Sequence, residues 1–198
     1  MDEIVRRAIA KWPDVPSVFN WLALDRRGNW LVKGKRISNP AVVDFIGRNY
    51  EHDAQGRWFF QNGPQRVFVN LAYTPIVYRV DSDASGQLML RAHTGSIHAA
   101  HEAWMDEAGD MLIETPLGVG LLQDRDLPYI ADQLAISGSA VDDATLERLV
   151  SDSTPSDVEL ELHLGERSVR VGRIRSADVP ARFGFDPQPR PAPGEPEC

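Results

Sequence analysis

One tetrapeptide constrains this chain more than any other feature. Asp-x-x-Gly occurs at 25–28, 53–56, 83–86 and 106–109, and after one intervening residue an apolar run opens at Trp30, Trp58, Leu88 and Met111. Asp suits the first position of a turn because its carboxylate accepts nearby backbone N–H bonds, and Gly suits the left-handed position that closes a type I turn. The four copies therefore read as hairpin turns, with or without a G1 bulge. Spaced acids also suggest calcium loops, but the EF-hand spacing and its terminal Glu are absent. A chain punctuated in this way is dominated by antiparallel strands.

The densest strand signal lies between Asn49 and Val80. Trp58-Phe59-Phe60, Val67-Phe68-Val69 and Ile76-Val77-Tyr78 are aromatic or β-branched runs bounded by turn residues. Asn62-Gly63 between the first two is a strong hairpin signal, since both residues tolerate positive φ. Strands are also expected at 20–24, 30–32, 87–91, 97–104, 110–114 and 119–122. Farther on, Val158–Leu164 and Arg167–Ile174 alternate apolar and polar residues around Gly165-Glu166. That turn pairs Leu162 with Val169, Leu160 with Val171 and Glu161 with Arg170.

Helices are fewer. Residues 2–12 place Ile4, Val5, Ala8, Ile9 and Trp12 at helical spacing, and Pro13 and Pro16 end the run. Asn39 is a good N-cap with Pro40 at the first helical position, followed by a stripe of Val42, Phe45, Ile46 and Tyr50. A third helix starts at Asp126-Leu127-Pro128, with Leu127, Ile130, Ala131 and Leu134 on one side. A short helix is expected over 143–150.

The fold expected is α+β: curved antiparallel sheet built of hairpins and packed on two or three short helices, with two similar repeated units. The organisation expected is an N-terminal helix (1–16), a main domain (17–136, with sub-units 17–75 and 76–136) and a C-terminal helix plus hairpin (140–184). Ser137-Gly138-Ser139 reads as a linker. The Pro-rich tail (185–198) should be disordered or polyproline II.

Composition narrows the setting. The 198 residues are enough for one sizeable core or two small ones, and 42% apolar with 25% charged residues is ordinary for globular proteins. The single Cys, Cys198, provides no internal disulfide. The start is acidic where a signal peptide needs a basic segment, and no apolar stretch is long enough to span a bilayer. A cytoplasmic protein is expected, without membrane contact. Net charge is −8, yet residues 1–40 carry a net +4, which leaves −12 for the rest. An acidic protein repels nucleic acid over most of its surface, so no nucleic-acid partner is expected.

The order strand, Gly34, Ile37, capped helix at Asn39-Pro40, aromatic strand Trp58-Phe59-Phe60, Gly63-Pro64-Gln65-Arg66-Val67-Phe68-Val69 and Thr74-Pro75 resembles uncharacterised bacterial domain-of-unknown-function families, mostly proteobacterial. The resemblance covers roughly residues 20–125. It implies an α+β fold of repeated small antiparallel units curved around a helix. It also implies a role in signalling or ligand sensing, and it carries over no catalytic residue.

No motif identifies a chemistry. His93, His98 and His101 with Glu102 are the densest ligand set, but on a strand His98 and His101 point oppositely, and zinc needs three or four converging ligands. Gly118-Val-Gly120 lacks the third Gly of a dinucleotide loop and reads as strand. Serine and cysteine nucleophile signatures are missing. No catalytic residue, metal or cofactor is assigned. Trp30, Trp58, Phe60 and Trp104 read first as core or sheet-face residues and second as groove lining. The candidate binding residues are Trp58, Asn62, Gln65 and Arg66, because polar groups at a hairpin tip are free to recognise a partner. A non-enzymatic module binding a small molecule or a protein is the expectation. The alternative is a hydrolytic or metal-assisted enzyme using the His93–Glu102 region.

Overall fold

The structure is a computed structural model that describes residues 1–12, 15–82, 88–151, 159–164 and 167–194. It is α+β and divides into two units, one drawn from Met1–Pro75, His93–Gly95 and Gly184–Cys198, the other from Ile76–Ala92 and Ser96–Phe183.

The first unit contains α1 (Glu3–Lys11), β1 (Val18–Leu24), β2 (Trp30–Val32), β3 (Lys35–Arg36), α2 (Pro40–Arg48), β4 (Tyr50–His52), β5 (Trp58–Asn62) and β6 (Gln65–Leu71). Its sheet runs β3-β2-β1-β6-β5-β4, antiparallel except where β1 and β6 pair in parallel. Phe19, Phe59 and Phe68 form a buried cluster, with Phe19 stacked on Phe68 at 4.5 Å. Such offset aromatic contacts add to the area they bury.

The second unit contains β7 (Ile76–Ser82), β8 (Leu88–Ala92), β9 (Ile97–His98), β10 (Glu102–Met105), β11 (Met111–Thr115), β12 (Gly118–Leu122), α3 (Leu127–Ala131), β13 (Leu134–Ile136), β14 (Ser139–Ala140), α4 (Asp143–Ser151), β15 (Leu160–Leu164), β16 (Arg167–Arg173) and α5 (Val179–Phe183). Its sheet runs β14-β13-β15-β16-β10-β11-β12-β7-β8-β9. Read from β9 to β10, this is the strand order of the first unit: two three-stranded meanders joined where the first strand of one lies parallel to the last strand of the other.

Three Asp-x-x-Gly turns are built alike. Asp25 Oδ1 accepts N–H bonds from Arg27 and Asn29, Asp53 Oδ1 from Gln55 and Arg57, and Asp106 Oδ1 from Ala108 and Asp110, all at 2.8–3.0 Å. The glycine N–H returns to the Asp carbonyl each time, at 3.1 Å. The fourth copy, 83–86, lies outside the described residues. At the β5–β6 hairpin the two-residue loop is Gly63-Pro64, with Gly63 at φ 59°, rather than Asn62-Gly63; Asn62 and Gln65 are the last cross-strand pair.

The helices bury less than their patterns promise. Asn39 caps α2 by accepting from Ala41 N at 3.0 Å, as its sequence requires. However, Val42 is exposed and Tyr50 falls on β4, because buried Asn49 ends the helix and donates to Phe45 O. In α1 only Val5 is buried, while Ile4 and Trp12 face solvent. α3 stops at Ala131, and Leu134 starts β13 instead.

Two expectations are corrected. Ser137-Gly138 is no linker but the turn of the β13–β14 hairpin, with Ala135 opposite Ala140. The tail does not begin disordered at 185. Phe185 is buried, Asp186 N donates to Gly56 O at 3.0 Å, and Leu71 N donates to Pro187 O at 2.9 Å. A Cβ at Gly56, where φ is 75°, would fall 2.1 Å from the Gly184 carbonyl oxygen, so glycine there admits the returning chain. Among the described residues no helix is long and apolar enough to cross a membrane.

Candidate functional site

In the second unit β10 and β16 pair in parallel, with Trp104 in register with Gly172. A Cβ at Gly172 would come within 2.6 Å of indole Cε3 and Cζ3, so the missing side chain lets the indole lie against the strand. The Arg182 guanidinium sits 4.9 Å over the same indole, and Phe183 meets it edge-on at 6.0 Å. Both belong to α5, which is fixed at its entry. Val179 is fully buried, and the Glu107 carboxylate accepts from Ser176 Oγ at 2.5 Å and Ser176 N at 2.8 Å. Those bonds, the side-chain one first, hold Glu107 below its ordinary carboxylate range.

Around this assembly lies a cleft of about 430 Å³, lined among others by Glu102, Trp104, Leu149, Arg170, Arg173 and Arg182. Arg173 donates to the Leu149 carbonyl. Arg170 lies 3.5 Å from Glu159, with both side chains exposed, and is registered opposite Glu161. Trp104 Nε1 is buried without a hydrogen-bond partner among the described residues. Three guanidiniums against one lining carboxylate give the cleft a positive balance in a chain of net charge −8. Guanidiniums suit carboxylate and phosphate oxygens, which they bind through paired N–H donors.

The four residues expected to bind are all in the first unit: Asn62, Gln65 and Arg66 are neighbours at the β5–β6 hairpin tip, and Trp58 lies at the far end of β5. Trp58 opens β5 and is buried against Tyr50 (4.7 Å) and His52 (4.9 Å). Asn62 closes β5 and is exposed. Gln65 Nε2 donates to Pro16 O at 3.1 Å, and Arg66 lies 4.7 Å over the Phe59 ring. The tip is thus partly spent on holding the hairpin.

The histidines differ in surroundings. His93 is half-buried in the first unit, with its Nε2 buried, beside Trp30 (5.1 Å) and Tyr50 (5.7 Å), and desolvation pushes its pKa down to about 3 against a weaker upward pull from Asp25. Tyr50 is itself pushed well up by burial, and its hydroxyl donates to Pro75 O at 3.0 Å. In the second unit His98 contacts Ser96 Oγ at 3.0 Å, while His101 and Glu102 are exposed. Among the described residues no three His, Cys, Asp or Glu side chains are grouped as a metal site requires.

The DUF2944 family model, described as "Protein of unknown function (DUF2946)", matches residues 1–190. The chain belongs to this family. Among solved structures, a DUF1285 family protein from Silicibacter pomeroyi DSS-3 is similar over 90% of this chain and 98% of its own, with a TM-score of 0.53 and 14% identity. A second DUF1285 family protein, from Shewanella baltica OS155, covers 55% of this chain and 88% of its own, at 13% identity and a TM-score of 0.40. At such identities the likeness to the first shows the fold alone. No curated protein matches. Arg182, Gly172 and Glu107 were not legible as site residues. Arg182 and Gly172 act through a pairing of strands almost 70 residues apart, and only Trp104, a residue suited to a groove, carried a local signal.

Proposed function

We propose that this family member is a non-enzymatic, cytoplasmic binding module that takes a small anionic molecule in the Trp104 cleft of its second unit. One observation carries the reading: three guanidiniums and an indole line a concave site in an otherwise acidic chain. Its volume, about 430 Å³, lies in the range of about 300–1,000 Å³ typical of small-molecule sites. The family's description assigns no function, so the support is the chemistry of the lining. A role in sensing follows naturally for a module that binds a metabolite and carries no catalytic motif.

Native mass spectrometry of protein purified without an affinity metal tests this. The expected result is a small-molecule mass excess, or a gain of one when organic acids and phosphate esters are added, that the double substitution Arg170→Ala/Arg182→Ala removes. Absence of any such adduct across both ligand classes, together with an unchanged melting temperature, contradicts the proposal. Fractionation of cells checks the location.

A further inference from the structure

Resting on the cleft as a ligand site, we infer that Arg182 is its single oxyanion anchor, that Trp104 and Gly172 position it, and that the ligand carries one carboxylate or phosphate on an apolar body. The three arginines are not equivalent. Arg173 is engaged with the Leu149 carbonyl, and Arg170 faces Glu159 and Glu161. Among the described residues, the partner of Arg182 is the face of the Trp104 indole. The indole ring offers no conventional hydrogen-bond acceptor, so the N–H donors of a guanidinium held over it are left for a ligand, a fork that matches two oxygens of a carboxylate or phosphate.

The supports of this anchor are rigid. The Trp104 indole is seated where Gly172 has no side chain, and α5 is tied down by Glu107 at Ser176 and by buried Val179. A binding group held by packing loses little entropy when it engages a ligand. Glu102 in the lining disfavours a second anionic group on the ligand. Leu149 and the Trp104 ring supply the apolar part of the lining. These features favour a single head group on an apolar body over a polyanion.

The test follows the Trp104 indole N–H in ¹H–¹⁵N spectra, assigned among the five tryptophans by Trp104→Phe. Four probes are titrated: benzoate, phenyl phosphate, inorganic phosphate and neutral benzamide. Benzoate or phenyl phosphate is expected to shift that signal saturably, and the tighter of the two identifies the head group. Arg182→Ala and Arg182→Lys should each raise the Kd at least about tenfold, because Lys keeps the charge but not the fork. Benzamide should bind more weakly and be indifferent to Arg182→Ala, whereas a merely structural role would weaken both probes. Gly172→Ala should weaken anion binding like Arg182→Ala; if it unfolds the protein, Arg182→Lys alone decides. Anion binding at the indole that ignores Arg182 overturns the anchor but leaves the cleft standing. Failure of all four probes to move the Trp104 signal overturns both. Inorganic phosphate binding as tightly as phenyl phosphate overturns the apolar body.

Discussion

Desolvation of the His93 ring nitrogen beside Trp30 and Tyr50 ties the stability of the first unit to pH. Its folded pKa is pushed down to about 3, against an ordinary value of 6.5. Above 6.5 neither folded nor unfolded chain binds the proton, and the contribution of this group is full. As pH falls below 6.5 the unfolded chain takes up a proton that the folded chain refuses. Stability is then lost with a limiting slope of about 1.4 kcal/mol per pH unit, until the folded group titrates as well. Urea unfolding between pH 7.5 and 5.5 should show this loss, and His93→Gln should flatten it. An equal slope in both proteins would mean that His93 is solvated. The sequence showed His93 only as one of three nearby histidines. Its separation from His98 and His101 depends on where the chain turns at Gly95, which residue types alone do not reveal.

At the scale of elements, what was legible followed from local chemistry. The β15–β16 register came out as alternation dictates, with Leu162 opposite Val169 and Glu161 opposite Arg170, while the Gly165-Glu166 turn itself lies outside the described residues. The Asp-x-x-Gly turns are local too: one carboxylate oxygen holds two N–H groups within five residues. Asp106, 1% exposed, shows the cost of losing it. Asp106→Ala leaves two backbone donors without that acceptor and should cost about 2–4 kcal/mol, whereas Asp106→Asn keeps an oxygen and should cost less than half as much. Chemical denaturation of the two variants measures the difference; equal losses would assign the effect to charge rather than to the acceptor geometry. Helix faces were less legible. The stripe of α2 was read past its end because Asn49, a polar residue, proved to be fully buried. The cleft was hidden for a related reason, since it needs the parallel pairing of β10 with β16, a long-range contact without a sequence signature.

For the whole molecule, the shared strand order of the two units accounts for the repetition seen in the turns, two Asp-x-x-Gly sequences to each six-stranded set. The first unit, however, is discontinuous: its six strands lie within Met1–Pro75, but it also draws on His93–Gly95 and on the segment that starts at Gly184. That last segment was expected to be disordered or polyproline II from its proline-rich composition, a reading that gave no weight to Phe185 at its start or to the glycine at 56 that makes room. Phe185 is 7% exposed, and removing its ring by Phe185→Ala should cost about 3 kcal/mol. A fragment of residues 1–75 lacks this anchor, the Pro187 acceptor for Leu71 N and the His93 ring against Trp30. It should therefore show strand-type far-ultraviolet circular dichroism but weak near-ultraviolet signal and no sharp urea transition. A cooperative transition in that fragment, with a midpoint near that of the full chain, would show that the strands suffice. The expected outcome makes the first unit complete only once the C-terminal segment has been synthesised, so its folding has to wait for the second unit to be translated.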